Sequence, residues 1–415
     1  MISGSSLRYA AAAALLLMCV AAGGAVIGGQ IPQDDYPYPM GREFPLGLYS
    51  LEVRTEEELL ALRDQGWNMG HTYGEQVPLM DKLARAGMFA FENISEKEEA
   101  AAQAEIERLA AYDCHAWWDL PEERRWWRED EFSLIKDLSA WTRKRDPMRR
   151  PNFMYIPGHY SADDIARYVP YLDIIGAGAY TEYAHQPRAW VRWRVESEIE
   201  AIKQAGFTVG RDYLNGERVP IAVLMCFQQG RYEGGNYIAD LKQHDIITPV
   251  EAYHDFYCAL AAGARGVLVF SYYHRNDLDV LRETFAAYSK AASEVIRSEL
   301  GQALLFGEAA PVTVEITKGP QRTCSFRPVR AEEDISYPSV NARAVRWQGN
   351  LYVIAVNSAE FAAGVSAVLA GLPSGVEQAE VMSEDRTVPV SDGRLADDFP
   401  WLGVHVYRMS TTESP

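Results

Sequence analysis

The chain has 415 residues, 48% hydrophobic and 24% charged, the balance of a folded globular protein, which sets aside wholesale disorder, collagen-like repeats and coiled coil. At ~100–200 residues per domain the length excludes a single small module and allows two or three cores. The 58 acidic against 40 basic side chains give a net charge of −18, which repels a phosphate backbone and argues against nucleic acid as a partner.

Arg8 is the only charge before Asp34; the run Ala10 to Val20 is apolar, and small residues follow from Ala21 to Ala25. This pattern predicts an export signal over 1–25 and a linker over 26–43, hence a secreted or periplasmic protein with no stable membrane insertion after cleavage. The uncharged stretch Tyr9 to Gly29 is also long enough for an uncleaved anchor, although its glycines and late alanines suit one poorly. Met18 stands before Cys19 where a lipoprotein signal has a small residue, which speaks against lipidation. Cys114, Cys226, Cys258 and Cys324 show no CxxC spacing and read as small buried side chains, without a disulfide framework.

From Phe44 to about Leu300, β-type runs alternate with helical ones. Strands are predicted over Leu46–Glu52, Gly66–Thr72, Gly87–Phe91, Tyr112–Trp118, Asn152–Pro157, Leu172–Tyr180, Val219–Phe227 and Arg265–Tyr273. Between them Thr55 with Glu58, Ser95 with Glu98, Ser161 with Asp164, and Thr248 with Pro249 and Glu251 are helix-start signals, and Gly66, Gly87, Gly206 and Gly263 stand where helices stop. Runs such as Ile221 to Met225 and Gly266 to Phe270 are apolar on both faces, as in a parallel sheet covered by helices. The span 44–300 matches the ~250 residues of a (β/α)8 TIM barrel. A linker is predicted over 301–311. From 312 to 410 short alternating runs at Val340–Trp347, Leu351–Asn357, Val365–Leu369, Val376–Met382 and Val404–Met409, with turns at Gln348-Gly349-Asn350 and Ser391-Asp392-Gly393, predict an antiparallel β-sandwich, followed by a tail over 411–415.

A barrel of this type carries its site at the C-terminal ends of its strands. Those ends offer Tyr49 and Glu52; His71 and Tyr73; Glu92; Trp117, Trp118, Asp119, Glu122 and Glu123; His159 and Tyr160; Tyr180, Glu182 and Tyr183; Phe227, Gln228 and Gln229; and Tyr272, Tyr273 and His274. No lysine falls at a strand end, so a Schiff-base or pyridoxal enzyme lacks its amine. Close-spaced metal ligands, a dinucleotide fingerprint, GxSxG and a phosphate loop are all missing from the sequence. Acids beside aromatics suit sugars: one carboxylic acid protonates the leaving oxygen, a second carboxylate attacks C1 or activates water, and aromatic faces pack on the ring. Trp117-Trp118-Asp119-Leu120-Pro121-Glu122-Glu123 supplies both residue types, although the tryptophans equally suit packing under helices and the glutamates the start of the next helix. His159, on a tight turn after the fifth strand, suits substrate or a helix cap. Trp126 and Trp127 read as helix packing.

Phe44-Pro45-Leu46-Gly47-Leu48-Tyr49, Gln65-Gly66-Trp67-Asn68-Met69, the tryptophan-acid segment, Ala261 to Gly266 and Phe270-Ser271-Tyr272-Tyr273 together resemble the clan-A, β-galactosidase-like glycoside hydrolases, and Asn357-Ser358 through Leu402 to Arg408 resembles their accessory β-sandwich. The resemblance implies a glycoside hydrolase with an acid/base glutamate after strand four and a nucleophile glutamate ending strand seven; with the N-terminal signal and the strand-end residues, the expectation is a secreted enzyme that acts without a cofactor or metal on an oligo- or polysaccharide. Glu122 takes the first position, although Pro121 precedes it where the family has asparagine or aspartate. Strand seven runs into Phe227-Gln228-Gln229 with no carboxylate, so the second acid is expected at Glu182, with Asp119, Glu92 and Glu52 behind it. Tyr49, His71, Tyr73, Trp117, Trp118, Asp119, His159, Tyr180, Gln228 and Tyr272 are the expected substrate contacts. A barrel that binds a glycan without cleaving it is the alternative.

Overall fold

The computed structural model describes residues 41, 43–51, 54–228, 230–233, 236–239, 246–272, 281–360 and 363–411. The predicted export signal and most of the 26–43 linker lie outside them, as do Glu52, Gln229, Tyr273 and His274. No described helix is long and apolar enough to cross a membrane.

Eight parallel strands form a closed barrel: β1 Leu46–Leu48, β2 Met69–Gly70, β3 Phe89–Asn93, β4 His115–Asp119, β5 Asn152–Ile156, β6 Ile174–Ala179, β7 Glu217–Met225 and β8 Val267–Phe270. The ring closes because β8 pairs with β1, Leu46 opposite Val267, and with β7, Val267 opposite Ala222. The helices between them are α1 Glu56–Asp64, α2 Gln76–Arg85, α3 Glu99–Ala110, α4 Glu129–Arg145, α5 Ala162–Ala166, α6 Ala189–Gln204, α7 Pro249–Ala262 and α8 Arg282–Arg297. Three predicted start signals close as capping boxes: Thr55 N–H donates to Glu58 at 2.8 Å, Ser161 N–H to Asp164 at 3.0 Å and Thr248 N–H to Glu251 at 2.8 Å. Ser95 does not cap α3, because Glu105, nearly two turns into that helix, captures its hydroxyl at 2.7 Å and its N–H at 3.0 Å. Gly263 ends α7 at φ 119°, a left-handed conformation that a β-carbon disfavours.

The predicted linker over 301–311 is instead ordered: Leu300–Phe306 forms α9 and Glu308–Ala310 forms β9. Leu304, Leu305 and Phe306 are apolar and buried, with the Phe306 ring 5.8 Å from that of Trp347, so the segment gains more by packing than by staying extended. The C-terminal domain continues with β10 Thr313–Lys318, β11 Val340–Trp347, β12 Asn350–Asn357, β13 Val365–Ala370, β14 Gln378–Val381, β15 Arg386–Ser391, β16 Arg394–Phe399 and β17 Val404–Ser410. Their order is β9-β11-β12-β17-β14-β15-β16-β13-β10, a nine-stranded antiparallel sheet curled into a sandwich around Val353, Leu369, Leu395 and Tyr407. The sandwich sits against the barrel through α7: Arg343 Nη1 donates to the Leu260 carbonyl at 2.9 Å, and His254 Nε2 lies 2.9 Å from Ser358 Oγ. All four described cysteines are free.

Candidate active site at the barrel mouth

Strand alternation decides which side chains reach the barrel axis. On β4, Trp117 and Asp119 share the inner face, and the Trp117 ring lies 6.2 Å from Phe91 and 6.0 Å from Phe153. Trp118, between them, points outward, where its indole N–H donates to Asp146 at 2.9 Å and its ring meets His115 at 4.2 Å. Both tryptophans are fully buried, so neither offers a face to a ligand, and the packing role open to them in the sequence is the one they take. Tyr272 is likewise buried outside the mouth, its ring 5.0 Å from Phe285 and under Arg54. Gln228 is buried at the end of β7.

Tyr49, His71, Tyr73, Asp119 and Glu122 come together. The Tyr49 ring, fully buried, lies 4.8 Å from His71, 5.0 Å from Phe91 and 5.6 Å from Phe270. His71 Nε2 is 3.4 Å from Asp119 Oδ2, and the Tyr73 hydroxyl donates to both oxygens of Glu122 at 3.1 Å. Asp119 is fully buried, and burial pushes its carboxyl well above the usual carboxylate range. Glu122, half-buried, is pushed up to about 7, first by burial and then by the charge of Asp119, against the opposing pull of His71 and the Tyr73 hydrogen bond. The Tyr49 phenol is raised far above its ordinary value by burial, with Asp119 and Glu122 adding to it. Glu122 does not open a helix: residues 122–128 form a turn between β4 and α4, with Glu123 at φ 57°.

The other expected acids lie elsewhere. Glu182 pairs with Arg188, whose guanidinium also lies 2.7 Å from Asp255 and 3.6 Å from Glu251 of α7. That pairing ties Glu182 to Arg188 and α7, away from the cluster around Glu122. Glu92 is buried and adds to the rise of the Cys114 thiol to about 11, after burial itself. Among the described residues, β7 ends at Met225 and runs on through Cys226 and Phe227 to Gln228 without a carboxylate.

Beside the mouth, a cleft of about 340 Å³ opens over the ends of β5 and β6, lined by Glu123, Trp127, Tyr155, His159, Tyr180, Tyr183 and their neighbours. Tyr180 joins mouth to cleft: its ring lies 6.0 Å from Phe270 and is stacked at 5.7 Å on Tyr155. The exposed His159 lies on the cleft side, its imidazole held below its ordinary value by burial first and the Arg194 charge second. Trp127, read from sequence as helix packing, is 48% exposed here, while Trp126 donates its indole N–H to Asp164 at 2.8 Å. Tyr155 is not among the expected contacts, yet its place two residues after Phe153 on one strand puts both on the inner face. Among the described residues no cluster of three His, Cys, Asp or Glu side chains could hold a metal ion.

No protein-family model matches the chain, and no curated protein does. Solved structures do. An α-amylase from Geobacillus thermoleovorans, complexed with acarbose, is 9% identical with a TM-score of 0.54, covering 90% of this chain and 99% of that one. An α-amylase from Anoxybacillus is 10% identical with a TM-score of 0.52 over 90% and 99% of the two chains. A GH27 β-L-arabinopyranosidase from Geobacillus stearothermophilus is 11% identical with a TM-score of 0.51 over 90% and 98%. Barrel and sandwich are thus arranged together as in these glycoside hydrolases, and the fold the sequence resembles is the fold present.

Proposed function

We propose that the chain is a glycoside hydrolase that cleaves an O-glycosidic bond of an oligo- or polysaccharide by carboxylate acid/base catalysis, with Glu122 as proton donor and Asp119 as the second carboxyl group. The observation that carries the reading is the Glu122 carboxyl itself, half-buried at the mouth, hydrogen-bonded to Tyr73 and raised to about 7 beside a second buried acid. A carboxyl that stays protonated near neutrality can give its proton to the glycosidic oxygen as the C1–O bond breaks. Asp119, buried beneath the mouth with His71 Nε2 3.4 Å away, is the second acidic group, and its negative charge when ionised stabilises the positive charge that develops at C1. Water then attacks C1 and returns a proton to the Glu122 carboxylate, which balances the step. Shared architecture with hydrolases named for glycosides supports the class of reaction, but barrels host many chemistries and the site has to carry the argument. The net charge of −18 favours a substrate without phosphate. We further propose that the chain is exported, secreted or periplasmic, on the N-terminal pattern described above. N-terminal sequencing of the exported product should begin near Ala25, and an intact Met1 on a membrane-bound product would favour the anchor.

The test is a screen of the mature protein and its Glu122→Gln variant against polysaccharides and aryl glycosides, measuring reducing-end release and binding. Hydrolysis by the parent that the variant loses supports the reading. A second reading, a barrel that binds glycans without cleaving them, is favoured by the missing carboxylate at the described end of β7, and binding by the parent without release of any product would select it.

A further inference from the structure

We infer that the cleft over β5 and β6 binds a neutral saccharide unit adjoining the one at the barrel mouth, on the leaving-group side of Glu122. The sense of the chain rests on the glycosidase reading; the binding itself rests on the cleft. The mouth holds the second acid, Asp119, so C1 belongs there, while the proton donor stands at the junction with the cleft through its neighbour Glu123. The unit in the cleft therefore departs with the protonated oxygen.

Three features make the cleft a sugar site. First, its volume of about 340 Å³ is within the ~300–1,000 Å³ of small-ligand pockets. Second, it is walled by exposed aromatic rings. The large aromatic side chains exposed on the described surface are Tyr73, Trp127, Tyr183 and Trp401; Tyr73 holds Glu122, and Trp127 and Tyr183, each 48% exposed, flank the cleft. Apolar area left in water costs stability without a partner, and the C–H face of a pyranose is such a partner. Third, its floor is a tight packing that glycines allow: a β-carbon on Gly158 would stand 2.5 Å from the Gly178 carbonyl oxygen, and one on Gly178 would stand 2.3 Å from the Tyr155 hydroxyl, so Tyr155 is held firmly against the cleft floor. Trp190 lines the same wall, and its buried indole N–H has no acceptor among the described residues.

The charges choose the kind of sugar. Of the residues lining the cleft, Arg125 is bound through Nε to both oxygens of Glu131 at 3.0 Å and makes a further contact through Nη2. His159 favours its neutral form, for the reasons of burial and of the Arg194 charge given above. Glu123 has no ion pair among the described residues, so the cleft presents one uncompensated negative charge and disfavours uronic or sulfated sugars.

The experiment uses the full mature chain carrying Glu122→Gln, titrated by calorimetry with maltohexaose, cellohexaose, xylohexaose and hexagalacturonate. At least one neutral hexasaccharide should bind more tightly than hexagalacturonate. Trp127→Ala and Tyr183→Ala should each weaken that binding by roughly five- to tenfold, the loss of one stacked ring. Trp401→Ala, an exposed aromatic on the sandwich, should leave it unchanged. Equal binding before and after both cleft substitutions, preference for hexagalacturonate, or binding of none of the four probes overturns the proposal. If the parent hydrolyses none of the probes while the cleft substitutions still weaken binding, the glycosidase reading falls and the cleft stands. If hydrolysis proceeds unaffected by either substitution, the cleft falls and the hydrolase stands.

Discussion

The end of β4 and the loop after β6 each bring carboxylates to the same end of one barrel, and their surroundings give those acids opposite properties. Glu122 and Asp119 have no arginine or lysine partner among the described residues, and burial raises both. Glu182 shares Arg188 with Asp255 and Glu251, so burial there is offset by an opposite charge and by hydrogen bonds, and the Arg188 N–H also donates to Glu360 of the sandwich at 3.0 Å. An acid that must give up a proton needs the first environment; an acid that holds elements together needs the second.

The largest effect expected from this contrast is on turnover. Glu122→Gln keeps size and hydrogen bonding but removes the titrating proton, so hydrolysis of substrates with poor leaving groups should fall by ~10²–10⁴-fold, and less for activated aryl glycosides. Glu182→Gln should change the same rate by less than about tenfold; a loss as large as that of Glu122→Gln would restore Glu182 to the catalytic pair. Stability should respond in the reverse order. Arg188→Met leaves the buried Asp255 without its cation and the partly exposed Glu182 without its partner, and should cost ~3–5 kcal/mol in denaturant unfolding, with no movement of the pH profile of the remaining activity.

Smaller effects should appear in pH dependence. A proton donor must be protonated, so kcat/KM should fall as pH rises through about 7, the value to which Glu122 is pushed. Tyr73→Phe removes a hydrogen bond that holds that value down and should move the alkaline limb to higher pH; movement to lower pH would contradict the assignment. The folded-state value of Glu122 is raised above its unfolded one, so its contribution to stability is complete below about 4.5 and is lost as pH rises through about 7. Asp119 acts in the same sense. Tm should therefore decline across that window, and by less in Glu122→Gln, which scanning calorimetry at a series of pH values measures.

The sequence by itself determined the barrel, because a parallel sheet wrapped in helices needs strands apolar on both faces, and Ile221 to Met225 and Val267 to Phe270 announce them locally. Capping is equally local, and Thr55, Ser161 and Thr248 could be read three residues at a time. Where a distant side chain competes, as Glu105 does for Ser95, that reading fails. In the sandwich β15 and β16 are not legible in the sequence because Pro389, Asp397 and Asp398 blur their alternation; the tertiary structure tolerates them, with Arg386 pairing to Asp397 at 2.9 Å. At the site, the sequence identified the acids and rings after β4 and could not sort them. Trp117, Trp118 and Trp127 are one residue type within one segment, yet one fills the barrel, one lies under a helix and one faces the cleft, as the pleat of β4 and the turn over 122–128 dictate. Glu182 and Glu122 read alike until Arg188 and Asp255 are brought to the first and Tyr73 and Asp119 to the second. Periodicity is written within a few residues of chain, whereas the electrostatic surroundings of a carboxyl group come from strands and helices far apart in sequence, which only the closed barrel brings together.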